Sequence, residues 1–560
     1  MTSATMNSQN APNDRQNVLL WLRGLMGWHG LLALAALTGI VLVWSSSEIA
    51  RWLQILSSVL LAGTAAASFW ALRLLSRNHK NGRILSLGIN YLLFLFCLVA
   101  SLHRLNAFVG IDSLADTFPR GLPFLGLIIL AYFIGAAADR HEGQLARQQA
   151  HYQARKWLTI IGVLGFLLAV GILNAFGTVV RNLSDVVLTG LLLGMGGTAV
   201  FLWAAWQQPI ARYFKTTNAD NEMLNGYLFL SPNLLGFLIF FAGPLLLSLY
   251  VSFTNSDAFG TADWVGFDNY ARILNLDIAQ LDTPSQLANE VLDIKIYSEL
   301  NRFTLFGKSY VIGAEDALFW IALGNTLKFV LLAVPLSVIP ALLLANLLNS
   351  KVPGMRFFRA IYFLPSVAAV VGIALVWQWL YNATIGYINY AITISVNLLN
   401  NLGFALTDPQ IRWLSESRTA LLAVIIMAAW QWIGFNTVLF LAGLQNIPGE
   451  LYEAATVDGA SPRQQFFRVT LPLLAPTTFF VVTTTIIQAM QVFEQVFIIM
   501  PGQNPAGPGN ATLTMVLYLY QKGFQRFEQG YASAIAWVLF ILIFGVTLFQ
   551  FQRQRTSGVS

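Results

Sequence analysis

Two short stretches of the 560-residue chain place hydrogen-bonding side chains inside runs that are otherwise apolar. In "AAWQWIGFNTVLF" these are Gln431, Asn436 and Thr437, set among Trp430, Trp432 and Phe435; in "TTTIIQAMQVFEQVF" they are Gln488, Gln491, Glu494 and Gln495. Polar side chains are costly in hydrocarbon, so they face a bundle interior or a wet cavity. Amides interleaved with aromatic rings offer hydrogen bonds to hydroxyls and flat apolar faces to C–H groups, which is the chemistry of binding a polyol. Interhelical hydrogen bonds that fix packing are the structural alternative. Glu494 could act as a proton-coupling acid, or sit solvated near the end of a span.

Signals for catalysis do not accompany this pattern. "RFTLFGKSY" carries Gly307, Lys308 and Ser309, but Arg302 stands where the first glycine of a phosphate-binding loop belongs. In "DRHEGQLARQQAH", His141 and Glu142 are not followed by a second histidine at the spacing of a zinc-protease helix. His29, His79, His103 and His151 are scattered and form no metal cluster. The expectation is a chain with no catalytic residue, no metal and no cofactor of its own. Cys97 is the only cysteine, so an intrachain disulfide is impossible.

The elements that must position the polar residues follow from composition. Hydrophobic residues make up 56% of the chain and charged ones 10%, against about 25% in soluble domains. Apolar runs long enough to span a hydrocarbon core predict an all-α polytopic membrane protein with about twelve helices, at 28–46, 52–74, 84–102, 121–138, 157–177, 185–206, 227–252, 317–348, 357–382, 419–444, 474–500 and 530–550. The first apolar segment lacks a clear cleavage site and reads as a retained helix.

Cations near span ends give the orientation. With a cytoplasmic N-terminus, the inner loops hold Arg73, Arg77, Lys80 and Arg83; Arg140, Arg147, Arg155 and Lys156; Arg212 and Lys215; Lys351, Arg356 and Arg359; and Arg463 and Arg468, with Arg553 and Arg555 in the tail. The outer short loops hold only Arg51, Arg104, Arg120 and Arg181, so both termini are expected in the cytoplasm. The net charge of +6 is therefore read as membrane topology, not nucleic-acid binding. Residues 1–220 read as a six-helix membrane region of unknown role, and "ARYFKTTNADNEMLNGY" as a linker to a second region, 221–560. An outer loop at about 253–316, with Trp264, Phe267 and Tyr270, is long enough to fold as a cap or docking surface.

One cytoplasmic insert, "ELYEAATVDGASPRQQFFRVTLPLL", is polar where its neighbours are not. Pro448 can start a helix, Glu450 and Glu453 suit its positive end, and Gly459 is a natural stop. Ser461, Pro462 and Gln464 then restart a helix through a capping box, and Pro472 is expected to end it. Leu451, Ala454 and Ala455 can share a face open to close approach. The parse is helix, turn, helix: a loop folded on its own helix ends, or a docking knob for a cytoplasmic partner.

Glu453, Ala454, Ala455, Gly459, Val469, Leu471 and Pro472, at these spacings, resemble the EAA loop of binding-protein-dependent ABC importer permeases, with Val469 in place of isoleucine. The resemblance runs over about 225–552 through "WVGFDNY", "GNTLKF", "RFFRAIYFLPSVAAVVGIALVWQWLYNATIGYIN" and "QVFEQVFIIMPGQNPAGPGNATLTMVLYLYQKGF". It is similar to the sugar-uptake branch, and there to the larger membrane subunit of maltose and maltodextrin importers.

The resemblance implies a type I importer core formed by the last six helices, in the inner membrane of a prokaryote. It further implies an EAA loop at about 446–473 in which Glu453, Ala454, Ala455, Asp458, Gly459, Leu471 and Pro472 couple to a separate ATPase. The implied partners are a second homologous permease, an ATPase dimer that binds ATP and Mg, an extracytoplasmic sugar-binding protein and a sugar, with no nucleic acid. Gln431, Trp432, Asn436, Thr437, Gln488, Gln491 and Glu494 are then candidates for the substrate pathway. An ion-coupled carrier working through Glu494, and a membrane scaffold or sensor, are the alternative functions.

Overall fold

A computed structural model describes residues 11–46, 51–106, 111–138, 145–257, 263–349, 355–500, 502 and 504–556. Among them, 10 helices are long and apolar enough to cross a membrane, or up to 12 if each of two sharply bent helix pairs counts as one span. The chain is an all-α polytopic membrane protein, and a small β-sheet is its one addition among the described residues. His141, Glu142, Arg140 and Lys351 lie outside the described residues, as do the side chains of Arg51, Arg147, Arg356, Arg359 and Arg555.

Two compact units divide at Leu234 and Leu235. The first contains α1 (Ala11–Ser45), α2 (Arg51–Ser76), α3 (Lys80–Arg104), α4 (Ile111–Ala138), α5 (Leu145–Val170), α6 (Ile172–Arg181), α7 (Val186–Trp206), α8 (Gln208–Tyr213) and most of α9 (Asn218–Phe237). Small residues let these helices approach. A Cβ on Gly165 of α5 would lie 2.2 Å from the Phe124 ring of α4, so the two helices can pack as they do only around glycine.

Polar groups are more deeply set in this unit than the sequence suggested. His29 Nε2 lies 2.8 Å from Ser86 Oγ, both fully buried, and Trp28 Nε1 donates to Asn90 Oδ1 at 2.8 Å. Arg83, expected in a loop, is buried and donates to the Ala205 carbonyl at 2.8 Å. The stretch expected as a linker is helical from Asn218. Thr217 and Asp220 cap that helix reciprocally, Asp220 accepting from Thr217 N at 2.9 Å and Thr217 Oγ1 from Asp220 N at 3.2 Å. The polar residues are thus the start of a helix, and the border between units falls later than 220.

In the second unit, a π-helical segment joins α9 to α10 (Gly243–Val251), and α11 (Asp268–Leu274) follows. The "WVGFDNY" stretch pins the end of α10. Asn269 Nδ2 donates to the carbonyls of Ser252 and Thr254 at 2.9 and 2.8 Å, and Phe253 packs against Trp264, Phe267 and Tyr270. The long loop then forms an antiparallel sheet of β1 (Leu276–Leu281), β2 (Ser298–Leu305) and β3 (Lys308–Ala314), ordered β1-β3-β2. Phe306 and Gly307 both have positive φ, 51° and 79°, so the "FGK" stretch is a tight hairpin turn.

The helices of the core are α12 (Ala317–Leu348), α13 (Met355–Val367), α14 (Val370–Leu380), α15 (Tyr387–Asn401), α16 (Ser417–Gln445), α17 (Gly449–Val457), α18 (Pro462–Gln465), α19 (Leu471–Leu473), α20 (Ala475–Met490), α21 (Glu494–Ile499), α22 (Met515–Tyr520) and α23 (Gln529–Thr556). The main buried cluster lies where α12 packs on α16 and α20, with Phe329, Val424, Met427, Phe440 and Val481 inside it.

Side chains in the "GNTLKF" stretch lock the end of this bundle. Asn325 Nδ2 donates to the carbonyls of Asn510 and Leu513, and Thr326 Oγ1 accepts from Met515 N at 2.9 Å. Buried Asp316 accepts from the hydroxyls of Tyr518 and Tyr531 and from Phe319 N, tying α12, α22 and α23 together.

Three expected spans are not single helices. The run 357–382 breaks at Ala368 and Ala369, where the chain turns by 106° between α13 and α14, just after Pro365. The run 474–500 stops as a helix at Met490 and restarts at Glu494. The span 157–177 is also divided, at Gly171, whose φ of 100° leaves the right-handed helical region.

Candidate functional site

The breaks in the two helices create the site. Gln491, Val492 and Phe493 separate α20 from α21, and Ser366 sits just ahead of the break between α13 and α14. Together with Gln431, Trp432 and Phe435 of α16, and with Gln488, Glu494 and Gln495, these residues line a cavity of about 520 Å³. Small-ligand sites typically fall between roughly 300 and 1,000 Å³. Four glutamines, one serine and one carboxylate provide donors and acceptors, while Trp432, Phe435 and Phe493 provide rings. Among the described residues, the lining holds no lysine, arginine or histidine.

Of the seven candidates read from sequence, five line this cavity: Gln431, Trp432, Gln488, Gln491 and Glu494. Asn436 and Thr437 do not. Asn436 is buried and accepts from Thr485 Oγ1 at 3.4 Å, while Thr437 donates to the Ile433 carbonyl and borders a separate, apolar cavity of about 260 Å³. Helical spacing explains the division, because residues five and six positions beyond Gln431 point away from its face. Ser366, Val492 and Phe493 were missed. Pro365 was the available signal for Ser366, since proline inside an apolar run kinks or breaks a helix.

Within the lining, Gln495 Nε2 donates to Gln431 Oε1 at 3.3 Å, joining α21 to α16. At the other end of α21, Gln378 of α14 donates to the carbonyls of Ile498 and Ile499 at 3.0 and 2.9 Å. Broken helices at a binding cavity have a physical rationale. Backbone groups freed by a break are tolerated at membrane depth only where protein or a wet cavity satisfies them.

At its far end α16 leads directly into the polar insert. Pro448 is the N-cap and Gly449 the first residue of α17. Gly459 has φ 77°, Ala460 N donates to the Ala455 carbonyl at 2.9 Å, and Gly459 N donates to the Thr456 carbonyl at 3.0 Å. This pairing is a Schellman stop. Ser461 and Gln464 then form a complete capping box, with Ser461 N donating to Gln464 Oε1 at 2.7 Å.

The two arms of the insert are braced against each other. Tyr452 OH lies 2.9 Å from Thr470 Oγ1, and Gln465 Nε2 donates to Thr456 Oγ1 at 3.0 Å. None of these four was singled out from sequence. Pro472 does not end the second arm. It lies within α19, after a π-helical segment (Phe466–Thr470), and the chain bends by 67° between Leu473 and Ala475. Glu453, Ala454, Asp458 and Gly459 are exposed on the first arm, and Ala455 is half-buried.

Residues 333–556 match the family model described as binding-protein-dependent transport system inner membrane component. The probable ABC transporter permease protein YesP of Bacillus subtilis is 33% identical over 339 residues, which are 60% of this chain and 93% of that one. The chain belongs to this family. The arabinooligosaccharides transport system permease protein AraP of Bacillus subtilis is 32% identical over 58% of this chain and 86% of its own length. The lactose transport system permease protein LacF of Rhizobium radiobacter is 32% identical over 43% of this chain and 78% of its own length. Both the cavity and the braced insert lie within the residues matched by the family model, and the first unit lies wholly outside them.

Proposed function

We propose that this chain is the permease subunit of an ATP-driven sugar importer, working by alternating access in a bacterial inner membrane. The observation that carries the reading is the position of α16. One helix supplies a wall of the polar cavity and, at its end, the braced knob that bears the EAA residues. ATP hydrolysis falls to a separate cytoplasmic subunit that receives α17, and a second permease and an extracytoplasmic binding protein complete the assembly. The excess of cations around the insert, Arg463 and Arg468 among them, supports a cytoplasmic location for it, with both termini on that side.

A neutral oligosaccharide suits the cavity best. Amides and rings match hydroxyls and C–H faces, and the lack of a cation among the described lining residues disfavours a phosphate or carboxylate cargo. The names of the relatives AraP and LacF, arabinooligosaccharides and lactose, point to the same class. Maltodextrins belong to it as well. The deciding experiment is uptake of labelled oligosaccharides into proteoliposomes holding the complete assembly. The expected result is uptake that requires ATP and the ATPase subunit. Uptake by this chain alone under a proton or sodium gradient would instead establish a carrier acting through Glu494.

A further inference from the structure

A second large cavity lies away from the first, at the other end of α14. It measures about 560 Å³ and is lined by Gln378, Trp379, Asn382, Arg412 and Trp413, among others. Its place in the molecule follows from α16, which begins at Ser417 beside this cavity and reaches the EAA knob at the opposite end, about 43 Å away at 1.5 Å per residue. The first cavity is lined by Ser366 of α13, just ahead of the joint with α14, and this one by Gln378 and Trp379 near the end of α14.

The walls of this cavity are firmly built. Asn382 Oδ1 accepts from the backbone nitrogens of Thr384 and Ile385 at 2.9 and 3.1 Å, fixing the turn after α14. Trp413 Nε1 donates to Asn389 Oδ1 at 2.9 Å, and Asn389 Nδ2 donates to the Ile411 carbonyl at 2.8 Å. Tyr381, also in the lining, donates to the Ala423 carbonyl from a buried position.

What the walls leave over is the functional clue. The Asn382 amide nitrogen and the Gln378 amide oxygen remain available, and the exposed Arg412 guanidinium makes no hydrogen bond or ion pair among the described residues. Trp379 is 75% exposed. Free donors beside an uncovered indole face are what a sugar ring recognises, through its hydroxyls and its C–H surface.

We propose that this cavity is an antechamber that holds the trailing units of an oligosaccharide whose leading unit occupies the first cavity. The proposal rests on the sugar reading above. Gln378 ties the two walls together: it lines the antechamber and holds α14 to the carbonyls at the end of α21, whose first residues Glu494 and Gln495 line the first cavity. A chain of several sugar units would contact both chambers, and a monosaccharide only one.

The test is competitive uptake by the complete assembly in proteoliposomes, offered a mixture of labelled mono- and oligosaccharides of the arabino, malto and galacto series. The readout is the ratio of uptake of the longest to the shortest saccharide that the wild type imports. Trp379→Ala and Arg412→Ala remove exposed side chains, so folding is preserved; each should lower that ratio about tenfold, a decade in relative binding. Gln431→Ala should depress long and short saccharides alike. An unchanged ratio in Trp379→Ala and Arg412→Ala overturns the antechamber while leaving the sugar reading standing. A wild type that imports only monosaccharides also overturns it. If the wild type imports no saccharide at all, the sugar reading falls and the antechamber with it.

Discussion

Gly459 and Glu453 sit six residues apart on the same knob and test different things. A Cβ at Gly459 would meet no atom within 4 Å, so any penalty for replacing it comes from backbone conformation alone. At φ 77°, a β-branched residue is strained by about 1–3 kcal/mol, and asparagine much less. Gly459→Val should therefore lose ATP-coupled uptake at normal membrane abundance, and Gly459→Asn should keep most of it. Equal uptake by the two variants would remove the left-handed stop from the mechanism.

Glu453 is exposed, and its role as a helix-dipole group is worth about 0.3–1 kcal/mol. Enclosed against a partner, a paired carboxylate costs about 2–5 kcal/mol when truncated. Glu453→Ala should leave the melting temperature of the isolated chain nearly unchanged yet weaken binding of the ATPase subunit about tenfold or more. Titrating that subunit onto wild type and variant in nanodiscs decides the matter, and matching affinities would reduce Glu453 to a cap.

Among the elements, the crossing of α13 on α16 is tightly constrained. A Cβ on Gly434 would lie 2.3 Å from the Tyr362 carbonyl oxygen, so backbone meets backbone there. Gly434→Ala must push α13 outward, at about 1–3 kcal/mol for overpacking. We expect a lower melting temperature in detergent together with weaker sugar uptake, because α13 leads to Ser366 in the cavity wall. An unshifted melting curve would mean that the crossing is loose.

Elements whose signals are local were legible in the sequence. The Gly459 stop and the Ser461–Gln464 box depend on side chains within a few residues, and both formed as read. The break between α13 and α14 was passed over because 357–382 is mostly apolar and periodicity cannot separate one straight span from two bent pieces, which left Pro365 as its one local signal. For the same reason the cavity's α16 and α20 residues could be named, while Ser366, brought in from a distant bend, could not. The braces from Tyr452 to Thr470 and from Thr456 to Gln465 depend on how two arms fold together, which spacing does not report.

At the scale of the whole molecule, the first unit contributes six of the helices able to span a membrane. An even number of crossings returns the chain to the side from which it started. Deleting residues 1–216, ahead of the Thr217 cap of α9, should therefore leave the second unit in its native orientation and able to assemble with the ATPase subunit. Thiol labelling of cysteines placed at Asp458 and Phe306 would check this. Reversed labelling after the deletion would show that the first unit sets the topology.

One contrast in the second unit bears on how a signal could cross it. Both helix pairs that meet the cavity from the other side are jointed, at Ala368–Ala369 and at Gln491–Phe493, whereas α16 runs from Ser417 to Gln445 with neither a break nor a proline. Stiffness lies along the line from knob to cavity, and compliance lies around the cargo. If the proposed ATPase subunit displaces the knob, that displacement would reach the cavity with little lost to bending along α16, and the joints would set how far the cavity opens. Pairs of spectroscopic labels along α16 should keep their spacing throughout a transport cycle, while pairs across either joint should not.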